Sequence, residues 1–121
     1  MNKFAEKIFH DVVTRCKPIL GDKYCDAYLY GSYARGDFNE ESDVDILITV
    51  KLEYLEMSEY RRKVSKVVSD ISLENDVTVS VSLKPIDVFS RYSNILPYFI
   101  NVLKEGIKYA NPWRKTKLSK G

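Results

Sequence analysis

No run of about 18 apolar residues, the length a membrane-spanning helix needs, occurs in the 121-residue sequence. Residues 1 to 10 mix lysines and a glutamate with short apolar groups, so they lack the apolar block of a secretory signal. Cysteine is scarce. Cys16 and Cys25 are the only two, they fall in segments that read as regular elements, and they lack metal-site spacing. Both are expected to be reduced core thiols in a cytoplasmic protein. Histidine occurs once, as His10, at a helix position that suits a surface or half-buried residue better than a catalytic base. There is no internal repeat and no low-complexity linker. Neither charge sign dominates, and the formal net charge of +2 argues neither for nor against a nucleic-acid partner.

What is present fits one modest core in one domain. The hydrophobic share is 45%, ordinary for a globular chain. An acidic stretch runs from Asp37 to Asp45 and a basic one from Arg114 to Lys120. The expected organisation is a domain over residues 1–112 and a basic tail over 113–121. Such a tail either frays in solvent or touches RNA or an acidic partner. Trp113 either pins that tail to the body or sits in an interface.

Apolar periodicity gives the elements. Phe4, Ala5, Ile8, Phe9, Val12, Val13 and Cys16 recur at helical spacing over residues 2–17, with Pro18 and Gly21 at or just past the end. Residues 24–30 (YCDAYLY) alternate, with Cys25, Ala27 and Leu29 on one face, and read as a strand that Gly31 breaks. Ser32 to Arg35 can start a short helix that Gly36 ends. Residues 43–50 (DVDILITV) form the clearest strand. Residues 53–70 are helical in pattern through Tyr54, Met57, Tyr60, Val64, Val67, Val68 and Ile71. Residues 77–83 (VTVSVSL) alternate as a third strand that Pro85 stops. Asp87 is placed to start a helix, and residues 95–110 give an amphipathic one through Ile95, Phe99, Val102, Leu103 and Ile107. This alternation predicts an α/β (α+β) domain, helices flanking a small sheet.

One constellation carries chemistry: YGSYARGDFNEESDVDILI, residues 30–48. Gly31 and Ser32 stand where a strand passes to a short helix. A glycine there lets backbone approach a ligand closely. The helix N-terminus offers unpaired N–H groups, and the serine hydroxyl adds a donor. Asp43 and Asp45 follow on an apolar strand. Residues two apart project from one face, about 6.6 Å apart along the chain. Two such carboxylates need a partner, and Mg²⁺ binds one or two carboxylates together with substrate phosphates. Each half alone is common: Gly-Ser also serves as a plain turn, and Asp-x-Asp as a solvated pair. Arg35 either neutralises phosphate charge or pairs with Asp37 or Glu40. Tyr30 and Tyr33 flank the motif, as base-stacking candidates or as core and rim packing.

In GSYARGDFNEESDVDILI the chain resembles the polymerase-β-like nucleotidyltransferase superfamily: Gly-Ser, about ten residues, then Asp-x-Asp on an apolar strand. Its brevity is similar to the minimal nucleotidyltransferase (MNT) group, relatives of MntA-type antitoxins. The resemblance implies a small mixed sheet flanked by helices. It implies in-line attack on the α-phosphate of ATP, with two Mg²⁺ ions about 3.5–4 Å apart. It assigns Asp43 and Asp45 to metal and catalysis, and Gly31, Ser32 and Arg35 to the nucleotide. It also implies a third carboxylate on a later strand. That position falls near Thr78 or Ser80, both hydroxyls. Asp76 is the nearby acid of matching parity, and it serves either as a displaced third acid or as the cap of the preceding turn. Three functions compete on this basis. One is transfer to a protein or RNA acceptor, the acceptor being a toxin of the HEPN type in a HEPN/MNT toxin–antitoxin pair. Another is a catalytically weak module that neutralises such a partner by contact. The third, an antibiotic-modifying enzyme, needs an acceptor domain that so short a chain lacks.

Overall fold

Asn2 opens the first helix, α1 (Lys3–Leu20), its side-chain oxygen accepting the Ala5 N–H at 3.0 Å, the usual device for satisfying a helix's free first-turn donors. In the computed structural model residues 2–110 are described, so Trp113 and the basic tail over 113–121 lie outside the described residues. The helix continues through Pro18, which forfeits only one bond of the last turn. Leu20 is buried there, and Gly21 closes the turn with its N–H on the Lys17 carbonyl.

Four strands make one mixed sheet in the order β3-β2-β1-β4. β1 (Tyr24–Tyr30) pairs antiparallel with β2 (Val44–Val50) on one side and with β4 (Ile107–Lys108) on the other. β2 pairs parallel with β3 (Val79–Pro85). A parallel neighbour needs a long crossover, and α3 (Met57–Asn75) supplies it. This is the small helix-flanked sheet that the alternation predicts.

Helices cover both faces because β2 is apolar on both. Val44, Ile46, Ile48 and Val50 join Ala27, Leu29, Val79 and Leu83 under α1 and α3, which contribute Ile8, Val12, Val13, Cys16, Met57, Val64 and Ile71. Leu47, on the opposite face, packs with Phe89 of α4 (Ile86–Tyr92) and with Phe99 and Val102 of α5 (Pro97–Glu105). Fully burying such a leucine stabilises by roughly 1.5–3 kcal/mol, so Leu47 fixes the second layer to the strand that carries Asp45. Among the described residues no helix is long and apolar enough to cross a membrane.

Several boundaries differ from the sequence expectation. A single helix over residues 95–110 does not form. α5 stops at Glu105, the Gly106 N–H bonds the Val102 carbonyl at 2.8 Å, and β4 follows on the free edge of β1. A Cβ at Gly106 would collide with that carbonyl, which is why the handover needs glycine. Ile95 and Leu103 are consequently exposed. α3 begins after a short 3₁₀ turn with a Glu53/Glu56 capping box, leaving Tyr54 exposed, and runs to Asn75. Pro85 ends β3 from inside it. Its missing N–H falls on the side turned away from β2, where no ladder bond is lost.

Cys25 is not a core thiol. The register shifts between Tyr24 and Asp26, and Tyr24 takes the place on the helix-covered face. The buried Thr49 hydroxyl accepts the Asp26 N–H at 3.0 Å and donates to its carbonyl, satisfying the bulged backbone. Cys16 is fully buried, and burial pushes its thiol up to about 11. Both cysteines are free. Alkylation of the native protein near pH 8 is therefore expected to label Cys25 first and Cys16 only after denaturant, because the thiolate is the nucleophile. Mass spectrometry of the labelled peptides checks this, and equal labelling in the native state would refute it.

Candidate active site

At the end of β1 the chain turns sharply. Gly31 has φ +78° and ψ −158°, a region essentially closed to residues with a Cβ. The Gly31 carbonyl accepts the N–H groups of Ala34 and Arg35, both at 3.1 Å, and so winds α2 (Ser32–Arg35). Gly36, at φ +90°, closes it with an N–H on the Ser32 carbonyl at 2.8 Å. Tyr33 fastens this turn to the body. It is buried and stacks on Phe38 with ring centroids 4.6 Å apart and planes within 12°. That is packing, not an open base-stacking surface.

The loop to β2 is tied by its own polar side chains. Ser42 Oγ accepts the Asn39 N–H and Asn39 Oδ1 accepts the Glu41 N–H, each at 2.8 Å. Asp43 follows, and the Val44 N–H starts the parallel ladder on the Thr78 carbonyl at 2.9 Å. One row then crosses three strands, because Asp45 is paired with Tyr30 on one side and with Ser80 on the other. Of the two hydroxyl positions, Ser80 stands level with Asp45, while Thr78 precedes the strand.

Asp45 lies against Gly31. A Cβ built on Gly31 would collide with Asp45 Oδ2 and stand 3.3 Å from its Cγ. Burial, then the neighbouring charge of Asp43, push the Asp45 carboxyl above its usual range, and Arg35 works the other way. Both raising effects penalise an unpartnered negative charge, and a divalent cation relieves both. The carboxylate chemistry of this corner therefore fits a Mg²⁺ ion.

A cavity of about 390 Å³ opens here, lined by Tyr30, Gly31, Ser32, Arg35, Asp45 and, from α5, Tyr98, Asn101 and Glu105. That volume suits a small ligand. Tyr30 and Tyr98 join hydroxyl to hydroxyl at 2.8 Å across its wall. Arg35 lines the cavity, and it pairs through Nε with Asp37 at 3.2 Å and through a terminal nitrogen with Glu105 at 3.5 Å. The three α5 residues escape the sequence reading. Their signal is the 98, 101, 105 spacing on the polar side of the Phe99 and Val102 stripe.

Asp43 and Asp76 border a neighbouring hollow of about 400 Å³ with Glu40, Glu41 and Thr78. Strand parity puts Asp76 on the face of Ser80 only within a strand, and Asp76 lies outside it. β3 begins only at Val79, and Asp76 precedes it at φ +50°, capping α3 with its N–H on the Ser72 carbonyl. Among the described residues no three His, Cys, Asp or Glu side chains gather as a metal-holding group. His10 is half-buried, its Nδ1 2.8 Å from the Tyr109 hydroxyl, away from this cavity.

A mixed sheet with Gly-Ser and Asp-x-Asp at adjoining strand ends defines a class, and comparison with known proteins places the chain in it. The nucleotidyltransferase domain model matches residues 13–109. Three relatives in Methanocaldococcus jannaschii share the name "Putative protein adenylyltransferase". MJ0141 is 50% identical over 62 residues (51% of this chain, 61% of that protein). MJ1305 is 35% identical over 89 residues (74% and 58%). MJ0604 is 31% identical over 101 residues (84% and 93%). The chain thus spans about six tenths of the length of the first two. A crystal structure of a mutant toxin-antitoxin MntA-HpeT superposes with a TM-score of 0.51 at 13% identity, covering 99% of this chain and 82% of that one, which shows a shared fold.

The chain belongs to the nucleotidyltransferase domain family, with the fold of its minimal members.

Proposed function

We propose that the protein transfers a nucleoside monophosphate from ATP to a hydroxyl of a partner protein, in a Mg²⁺-dependent reaction. The observation that carries this reading is the Asp45 carboxylate laid over Cβ-less Gly31 in one cavity with Ser32 and Arg35. Asp43 and Asp45 hold the metal, and Gly31, Ser32 and Arg35 face the phosphates. Bound Mg²⁺ supplies neutralising charge for phosphate oxygens. The acceptor oxygen forms a bond to the α-phosphorus as the bond to the β-phosphate bridge breaks. Pyrophosphate leaves with that electron pair, and the hydroxyl proton passes to solvent. The names of the relatives support a protein acceptor, the fold shared with a toxin-antitoxin supports a toxin as that partner, and the sequence resemblance makes it one of the HEPN type. RNA is the alternative acceptor.

One observation favours a second reading. Ser80, not an acid, stands level with Asp45, so the fold can instead serve a module that neutralises its partner by contact. ATP labelled at the α-phosphate separates the two readings. With Mg²⁺, partner protein or RNA gains label under the first. Under the second, a partner is neutralised equally well when Asp43→Ala and Asp45→Ala are combined.

The role of Asp76 has its own test. Its backbone is left-handed, which favours glycine, and its carboxylate lies off the strand. Asp76→Asn is expected to leave the transfer rate unchanged, and Asp76→Gly to stabilise the fold by about 0.5–1 kcal/mol, the left-handed penalty it relieves less the entropy cost of glycine. A large loss of rate in Asp76→Asn, at unchanged melting temperature, would instead make Asp76 the third ligand.

A further inference from the structure

We infer that the free edge of β3 receives an extended, acidic segment of the acceptor protein as a fifth strand, leading one of its side chains onto the face that carries Asp45. This rests on the transferase reading above and adds where its acceptor docks.

β3 is the outermost strand of the sheet. The Thr78 carbonyl accepts from Val44. The alternation of a parallel ladder therefore aims the backbone groups of Ser80, Ser82 and Lys84 at β2, and those of Val79, Val81 and Leu83 outwards. Two of the outward groups are already engaged. The Val79 N–H donates to Ser72 Oγ at 3.0 Å, and the Leu83 carbonyl accepts from Arg61 at 3.5 Å. Among the described residues the Val81 N–H and carbonyl find no such partner. An open backbone row is a template for strand addition. Edges are commonly blunted by charge or proline. Here Lys84 and Pro85 sit only at the far end, and Val79 to Leu83 is bare of both.

The edge opens into a hollow of about 550 Å³ between α3 and β3, larger than the Asp45 cavity. Its polar lining includes Ser65, Ser69, Ser80 and Ser82, and its charges are Arg61 and Lys84, with no carboxylate. That charge selects the occupant. A second copy of this chain would bring two more cations against these two. A nucleic acid would leave the outward N–H and carbonyl pair unused. An acidic extended peptide answers both the charge and the backbone row.

The register ties this edge to the chemistry. Ser80 is the ladder partner of Asp45, and ladder partners project to the same face. A residue added opposite Ser80 therefore projects over that face, two strand spacings or about 10 Å from Asp45. A hydroxyl-bearing side chain there can meet a phosphate held between.

The test uses synthetic peptides with the intact chain. The first is acidic and alternating, with a central serine (Glu-Val-Glu-Val-Ser-Val-Glu-Val-Glu). The second carries lysine in place of glutamate, and a twelve-nucleotide single-stranded RNA is the third probe. The acidic peptide is expected to bind and to slow hydrogen exchange at the Val81 and Leu83 amides. Val81→Pro removes an outward donor without touching the β2 ladder. It should weaken binding by about fivefold or more, the worth of one backbone hydrogen bond. Arg61→Glu with Lys84→Glu should weaken it by about tenfold or more, and this pair decides the matter if Val81→Pro does not fold. Asp45→Asn should leave peptide binding intact. Equal binding of the lysine peptide, binding of the RNA in its place, or self-association that Val81→Pro abolishes would each overturn the inference. Docking without label transfer from Mg²⁺-ATP would keep the edge and sink the transferase reading. Transfer at an unchanged rate in Val81→Pro and in the charge-reversed pair would do the reverse.

Discussion

Asp45→Asn is expected to lower label transfer from ATP by about 10³-fold, since a metal's Lewis-acid contribution is worth several kcal/mol and each 1.36 kcal/mol is tenfold in rate. The same substitution should leave the melting temperature of the apoprotein equal or higher. Burial and the Asp43 charge both work against the Asp45 carboxylate in the folded state, and a neutral amide of the same shape escapes both. The pairing of lost activity with retained stability is what separates a metal ligand from a structural residue. Ligand-linked stabilisation gives a third readout. Mg²⁺-ATP at about 100 times its dissociation constant should stabilise the native chain by about 2.7 kcal/mol, and Asp45→Asn should lose most of that gain. A melting temperature several degrees lower in the apo variant would show that the carboxylate supports the fold instead. An undiminished Mg²⁺-ATP shift would remove Asp45 from the site.

The strands that carry the site are legible because their composition leaves few alternatives. DVDILITV is rich in β-branched residues and apolar on both sides, and it becomes an inner strand with helices packed on each face. YCDAYLY is found to the residue. What escapes depends on the rest of the chain. Ile107 fits a helical stripe with Leu103 in sequence, but its backbone pairs with Leu29 once β1 offers an open edge. The signal against the helix was Gly106. The bulge that moves Cys25 aside depends on Thr49, 23 residues from Asp26, and no local pattern announces it. Parity placed Asp76 on the Ser80 face only if the strand began early. The strand begins late because α3 runs on to Asn75 and needs a left-handed cap.

The same long-range pairing decides which groups share a cavity. Asp43 and Asp45 are two apart, Asp43 just before β2 and Asp45 within it, yet Asp45 lines the hollow with Gly31 and Ser32, and Asp43 borders a different one. Asp43 is exposed and Asp45 half-buried, so they need not be equivalent. Asp45 is enclosed by the Gly31 turn, and its replacement should cost more activity than that of Asp43. A metal ligand at the open side can be replaced in part by water, since Mg²⁺ usually keeps several.

Gly31→Ala tests whether that enclosure is the functional element. The Gly31 dihedrals fall where a Cβ costs of order 1–3 kcal/mol in strain, and the new methyl would also strike Asp45 Oδ2. Two relaxations are open. If the Asp45 carboxylate swings away, the fold keeps most of its stability but the metal and phosphate positions separate. If the turn rearranges, α2 shifts with it and Ser32 and Arg35 leave the cavity. Either path damages the same ligand site, so Mg²⁺-dependent ATP binding should weaken by about tenfold or more, a cost of about 1.4 kcal/mol. The melting temperature should fall by several degrees, on the order of 4 °C for each kcal/mol. Gly36→Ala is the control. Gly36 also has positive φ, but a Cβ there meets nothing within 4 Å, so it should lose stability with little loss of ATP binding. Titration of ATP with and without Mg²⁺, beside thermal melts of both variants, reads the two effects separately. Equal loss of binding in the two would mean that backbone strain alone, and not the contact between Gly31 and Asp45, governs the site.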